Sequence, residues 1–128
     1  MGVRSEAGVK VVGAEEQEEA PAATPAETAK TAVVAAEATG VMETLNAATL
    51  EYAKTRKQFG QAIARFQVLQ HRMVDMFMHF EHARSMTYLA AVKVDSGDAR
   101  QRRRTASAAQ VRVAPAARFI GLQPLHAH

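Results

Sequence analysis

The stretch FQVLQHRMVDMFMHF, residues 66–80, decides how this chain folds. Phe66, Leu69, Met73, Met76, Phe77 and Phe80 recur at steps of three and four. At 100° per residue they fall within roughly 100° of one another, one apolar stripe on a helix. The stripe continues more weakly through Ala83, Thr87 and Ala90 and stops near Asp95-Ser96-Gly97, so a helix is predicted over about 62–95. Upstream, Thr24-Pro25-Ala26-Glu27 sets a capping hydroxyl, a proline at the first helical position and a carboxylate at the third. This is a capping box with its N1 proline. It predicts a first helix over 25–59, with Gly60 as the stop. Downstream, Asp98 with Gln101 three residues later predicts a second capping box and a third helix over about 99–122. Its stripe is Ala106, Ala109, Val113, Ala116, Ala117 and Ile120, interrupted by Pro115. The fold class is therefore all-α: an up-and-down bundle of three long helices over residues 24–128. Residues 1–23 read as a Glu/Ala/Pro-rich linker, with Val9–Val12 as one short strand.

Composition agrees. The 128 residues are 48% hydrophobic and 23% charged but only 5% aromatic, with no tryptophan, so the core must be aliphatic and rich in Ala and Met. Three Ala-rich stripes without a fourth helix leave apolar surface uncovered, and self-association or a partner is expected. No apolar run approaches the length of a membrane span. With no basic-then-apolar leader read at the start, a cytoplasmic protein is expected. The absence of cysteine excludes disulfides, thiolate metal sites and thiol catalysis. Net charge is +3. The basic cluster Arg100, Arg102, Arg103 and Arg104 has no aromatic residue within ten positions. That argues against a nucleic-acid surface.

His71, Asp75, His79 and His82 share one helix at metal-ligand spacing, but opposite the apolar stripe, and read as a solvated face. No Ser-His-Asp set, phosphate loop or paired carboxylates occur. The segment Tyr52-Ala-Lys-Thr-Arg56-Lys-Gln58-Phe59-Gly60-Gln61, followed by Phe66-Gln67-Val-Leu69-Gln70, is different. It combines cations, amides and rings at a helix end, suited to an anionic, ring-bearing ligand. A C-terminal cationic cap is the plainer reading of the same residues.

These residues strongly resemble the C-terminal helical domain of the FAD-dependent acyl-CoA dehydrogenases, in which an Arg-x-x-Phe-Gly turn precedes a Phe-Gln pair. The likeness is dense from Gly40 to Met86, continues through Ser107–Val111 and Ala116–Gly121, and is thin before Thr31. It implies a family four-helix bundle of which three helices are present. It also implies FAD shared with a neighbouring subunit: Arg56 at the pyrophosphate, Gln58 and Phe59 at the adenine end, and Gln67 as a further polar contact. The reaction implied is α,β-dehydrogenation of an acyl-CoA, with electrons passed to an electron-transferring flavoprotein. The chain also departs from the pattern. The family's usual base is a glutamate after a Gly-Gly turn that would follow residue 128. The alternative base position on the first helix holds Lys30, and Thr28 and Thr31 stand near the family's acyl-CoA-binding Asp/Arg pair. The resemblance thus implies a truncated piece or split subunit in which these 128 residues alone lack a base. The alternative is a non-catalytic helical partner module without flavin chemistry of its own.

Overall fold

A computed structural model describes residues 24–126. The expected strand Val9–Val12 and the 1–23 linker lie outside the described residues. Three helices form the up-down-up bundle: α1 (Pro25–Thr55), α2 (Gln67–Lys93) and α3 (Ala99–His126).

The first helix begins as the sequence dictates. Thr24 Oγ1 accepts from Glu27 N at 3.3 Å, and Glu27 Oε2 accepts from Thr24 N at 2.8 Å. At the head of α3, Asp98 Oδ1 accepts from the backbone N–H groups of Arg100 and Gln101. The reciprocal half of the expected box does not form. Gln101 Oε1 instead accepts the Ser96 hydroxyl at 3.0 Å, and Ser96 Oγ takes the Asp98 N–H. A serine two residues before the cap outcompetes the N3 amide for the cap's own donor. The third helix also runs on past residue 122, continuous through Pro115 and Pro124. Each proline has no N–H to donate, so one i→i−4 bond is missing there, and the tertiary packing of α3 carries the gap.

The core forms where the stripes meet. Met42 of α1, Met76, Phe80 and Ala83 of α2, and Val113, Ala116 and Ile120 of α3 make one buried cluster with Ala35. A second, of Ala32, Ala90 and Ala109, closes the other end. These partners fix the direction of the helices. Residue 32 meets 109 and 42 lies among 113–120, so α1 and α3 run parallel and α2 antiparallel to both. The core face of α1 carries Thr28, Ala32, Ala35, Thr39, Met42 and Ala53, while Val33, Val34 and Val41 are exposed. Small residues there bring the helices close. The buried hydroxyls of Thr39 and Thr87 lie 3.0 Å apart, so that one donates to the other and the second donates to its own i−4 carbonyl, of Ala35 or of Ala83.

The α2 stripe is only half covered. Met76 and Phe80 are buried, but Phe77 is 58% exposed and Leu69, Met73 and Phe66 are half-buried. Phe77, Val74, Leu50, Ala47 and Met73 line an open apolar groove of about 600 Å³ between α1 and α2. Uncovered apolar surface of this kind favours association. The purified chain is therefore expected to dimerise or to light up a hydrophobic dye. A compact monomer by light scattering that leaves the dye dark would contradict this.

Candidate functional site

Of the residues singled out from the sequence, Arg56, Gln58 and Phe59 lie in the connection between α1 and α2 and Gln67 opens α2, and the shape of the connection differs from the expectation. The first helix ends at Thr55, not Phe59. Lys57–Gln58 (β1) and Gln61–Ala62 (β2) pair antiparallel, Lys57 opposite Ala62 and Gln58 opposite Gln61. Phe59 and Gly60 make the two-residue turn, both with positive φ, 53° and 79°. Gly60 is therefore a hairpin residue rather than a helix stop. Left-handed geometry at both central positions matches the right-handed twist of the flanking strands. After the hairpin, a 3₁₀ turn at Ile63–Arg65 leads into α2, which starts at Gln67, later than the predicted 62.

The base of the hairpin is tied down on both sides of Arg56. Its N–H donates to Tyr52 O at 2.8 Å, and its carbonyl accepts from Ile63 N at 2.9 Å. Ile63 is buried, and it lines a small cavity with Ala53, Leu69, Met73 and Met76. That anchor seats the loop on the bundle. Gln70 Nε2 adds a bond to Ala64 O at 2.9 Å.

With its backbone held and Ile63 turned in, the hairpin presents the side chains of its Lys57–Phe59 arm outward. Arg56, Gln58 and Gln67 are all exposed. Phe59 is 91% exposed, its ring meeting Phe66 edge-on at 6.2 Å between centroids. Phe66 in turn is the residue just before α2, next to Gln67. The four predicted residues thus share one short stretch, though nothing bonds them to one another.

The hairpin is absent from the sequence expectation, although a glycine in the second place of a two-residue loop signals it. The cations expected at this helix end are joined by others. From residue 52 to residue 74 there is no acidic side chain, while Lys54, Arg56, Lys57, Arg65 and Arg72 are all present. Among the described residues, Lys54 alone of these is in an ion pair, with Glu51 at 3.0 Å. Among the described residues, this end of the bundle is an exposed basic surface crowned by an aromatic ring. Such a donor set suits a pyrophosphate joined to a flat heterocycle, because guanidinium and amide N–H groups donate to phosphate oxygens and a ring stacks on a base.

The remaining candidates behave otherwise. His71, Asp75, His79 and His82 are exposed on α2. His79 is not purely solvated, since its ring packs on Phe119 at 4.5 Å between centroids. Among the described residues no three His, Asp or Glu side chains come together as metal ligands, and no helix is long and apolar enough to cross a membrane. Lys30 and Thr31 lie at the other end of α1, along a cleft of about 490 Å³ shared with Gln110, Val113 and Ala117.

Comparison with known proteins gives a consistent answer. The family model described as "Acyl-CoA dehydrogenase, C-terminal domain" matches residues 28–128. A short-chain-specific acyl-CoA dehydrogenase of Megasphaera elsdenii is 40% identical over 85 residues, covering 62% of this chain and 22% of that one. An L-prolyl-[peptidyl-carrier protein] dehydrogenase of a Serratia species is 51% identical over 49 residues, 38% of this chain and 13% of the relative. A 3-(aryl)acrylate reductase of Clostridium sporogenes is 38% identical over 65 residues, 51% of this chain and 17% of the relative. The chain thus spans about a fifth or less of the length of these relatives. No solved structure matches it significantly. With the family model covering most of the chain and the three-helix fold in agreement, this protein belongs to the acyl-CoA dehydrogenase family, through its C-terminal helical domain.

Proposed function

We propose that residues 24–128 serve as part of the C-terminal helical domain of an FAD-dependent acyl-CoA dehydrogenase, and that the 56–67 connection is its flavin-nucleotide contact. The assembly would act on an acyl-CoA thioester, with electrons leaving to an electron-transferring flavoprotein. The bound flavin supplies the hydride acceptor for α,β-dehydrogenation. This chain's part is recognition. Arg56 offers two parallel N–H donors to the pyrophosphate, Phe59 gives a ring face and Gln58 an amide at the adenine end, and Gln67 adds a donor at the start of α2. Because all four point away from the bundle, the nucleotide they meet belongs to a neighbouring acyl-CoA dehydrogenase-type subunit.

One observation carries this reading. Phe59 is a bulky residue held in the left-handed region and almost wholly exposed. That backbone costs about 1–2 kcal/mol for a non-glycine residue. The edge-on contact with Phe66 returns only about 0.5–1.5 kcal/mol. Folding therefore gains nothing from this residue, and strain at an exposed aromatic ring is the mark of a binding position.

The test is Phe59→Gly. Relief of strain should offset the lost ring contact, leaving the thermal midpoint of the chain unchanged or slightly raised. In an assembly reconstituted with a full-length family subunit, the same variant should lose bound flavin, read from the flavin absorbance of the purified complex. Flavin retained at the wild-type level would overturn the proposal, and a fall in the midpoint would show that the ring serves folding instead.

A further inference from the structure

The opposite end of the bundle holds a second concentration of positive charge. Helix α3 carries six arginines, Arg100, Arg102, Arg103, Arg104, Arg112 and Arg118, and no acidic residue. Four of them crowd its first turns, where the helix macrodipole is already positive. Arg100 and Arg104 are exposed, and Arg102 turns back to donate to Ser96 O. Among the described residues three carboxylates stand near this end, Asp98 at the cap of α3, Asp95 in the connecting loop and Glu27 at the start of α1, against four arginines. The exposed pair Arg100 and Arg104, one helical turn apart, presents two like charges to solvent there, a face suited to a further anionic segment.

The chain carries one at the right place. Glu15-Glu16-Gln17-Glu18-Glu19 holds four carboxylates in five residues. It precedes Thr24, where α1 begins. Since α1 and α3 run parallel with Ala32 against Ala109, the start of α1 is level with about residue 102 of α3. At up to ~3.6 Å per residue, Glu19 reaches about 18 Å from Thr24 and Glu15 about 32 Å. The arginine face lies within that span. The 56–67 connection does not, because the 31 residues of α1 put it about 46 Å away.

We propose that the acidic segment Glu15–Glu19 docks in cis on the Arg100/Arg104 face of α3 as a charge cover for that helix end. The contact is electrostatic and side chain to side chain. It weakens as salt shortens the screening length, and any other polyanion that takes the face must displace it.

The chain has no cysteine, so Gln17→Cys accepts a single nitroxide label. At low salt, the amide signals of residues 99–105 should lose most of their intensity, while those of 56–67 keep theirs. In 1 M salt, where the Debye length is about 3 Å, the effect should vanish. It should also vanish when Glu15, Glu16, Glu18 and Glu19 are changed to Gln, a change outside the bundle, and in the exposed-site double variant Arg100→Gln/Arg104→Gln. A mixture of labelled chain with a separate isotope-enriched chain, diluted until light scattering reports monomers, should show no broadening. No loss over 99–105 at low salt, equal loss at both ends, persistence in 1 M salt or in either variant, or loss in the mixed sample would each overturn docking in cis.

Discussion

Ile120→Ala is expected to remove about 2–5 kcal/mol of folding stability, the range for cutting a large aliphatic side chain to alanine in a core. Ile120 is fully buried, between Met42 of α1 and Met76 and Phe80 of α2. Its other neighbours include Ala35, Ala83 and Ala116, which have no side-chain length to extend into the space left behind. The transfer loss of three carbons, at about 0.8 kcal/mol each, is increased by whatever part of the space Met42 and Met76 leave unfilled. Domains are stable by only about 5–15 kcal/mol, so one substitution can take most of the total. Val111→Ala, nine residues earlier on the exposed side of the same helix, should stay within about 0.5 kcal/mol. Urea unfolding followed by circular dichroism, at one fixed protein concentration, compares the two. Equal midpoints would mean that α3 does not turn its Ala106–Ile120 stripe to the core.

The second large effect concerns Arg56. Arg56→Lys keeps the charge but loses the planar fork that pairs with two phosphate oxygens at once. If this residue meets the flavin pyrophosphate of a neighbouring subunit, FAD affinity of the reconstituted assembly should fall by about 1–3 kcal/mol, the range for a hydrogen bond to a charged group. Stability of the free chain should hardly move, because the side chain is exposed and an exposed charge is worth little to folding. The backbone bonds that seat Arg56 do not involve its side chain and survive the change. Flavin titration beside a wild-type assembly decides the matter. Equal affinities would make Arg56 a surface cation at a helix end.

Both results depend on how the three helices and their connection are put together, and those two levels were unequally legible in the sequence. The helix starts at Thr24 and Asp98 could be read directly, because a cap is a contact between residues two or three apart. The α3 stripe was also legible: Ala106, Ala109, Val113, Ala116 and Ile120 are all buried, at the spacing their order gives. So was the family, since the Arg56–Gln67 motif is contiguous.

Other features needed the fold. On α1 the most hydrophobic residues, Val33, Val34 and Val41, face out, while Thr28, Ala35 and Thr39 face in. Close helix approach selects small side chains over apolar ones there, and that pressure exists only once a partner helix is in place. Phe77 has the right phase for the stripe yet stays open, because coverage of a stripe belongs to the neighbouring helix and not to the stripe itself. At Phe59-Gly60 the same glycine suits a helix end and a hairpin turn equally well, for either accepts a positive φ. The choice fell to Ile63, whose burial beside Ala53 and Met76 pulls the chain back across the helix end and closes the hairpin over Arg56. Local sequence alone set the three helices, the starts of α1 and α3, and the motif. Tertiary packing alone decided which faces are covered and that the motif stands on a strained, outward-pointing turn, because both are set by contacts between residues far apart in the chain.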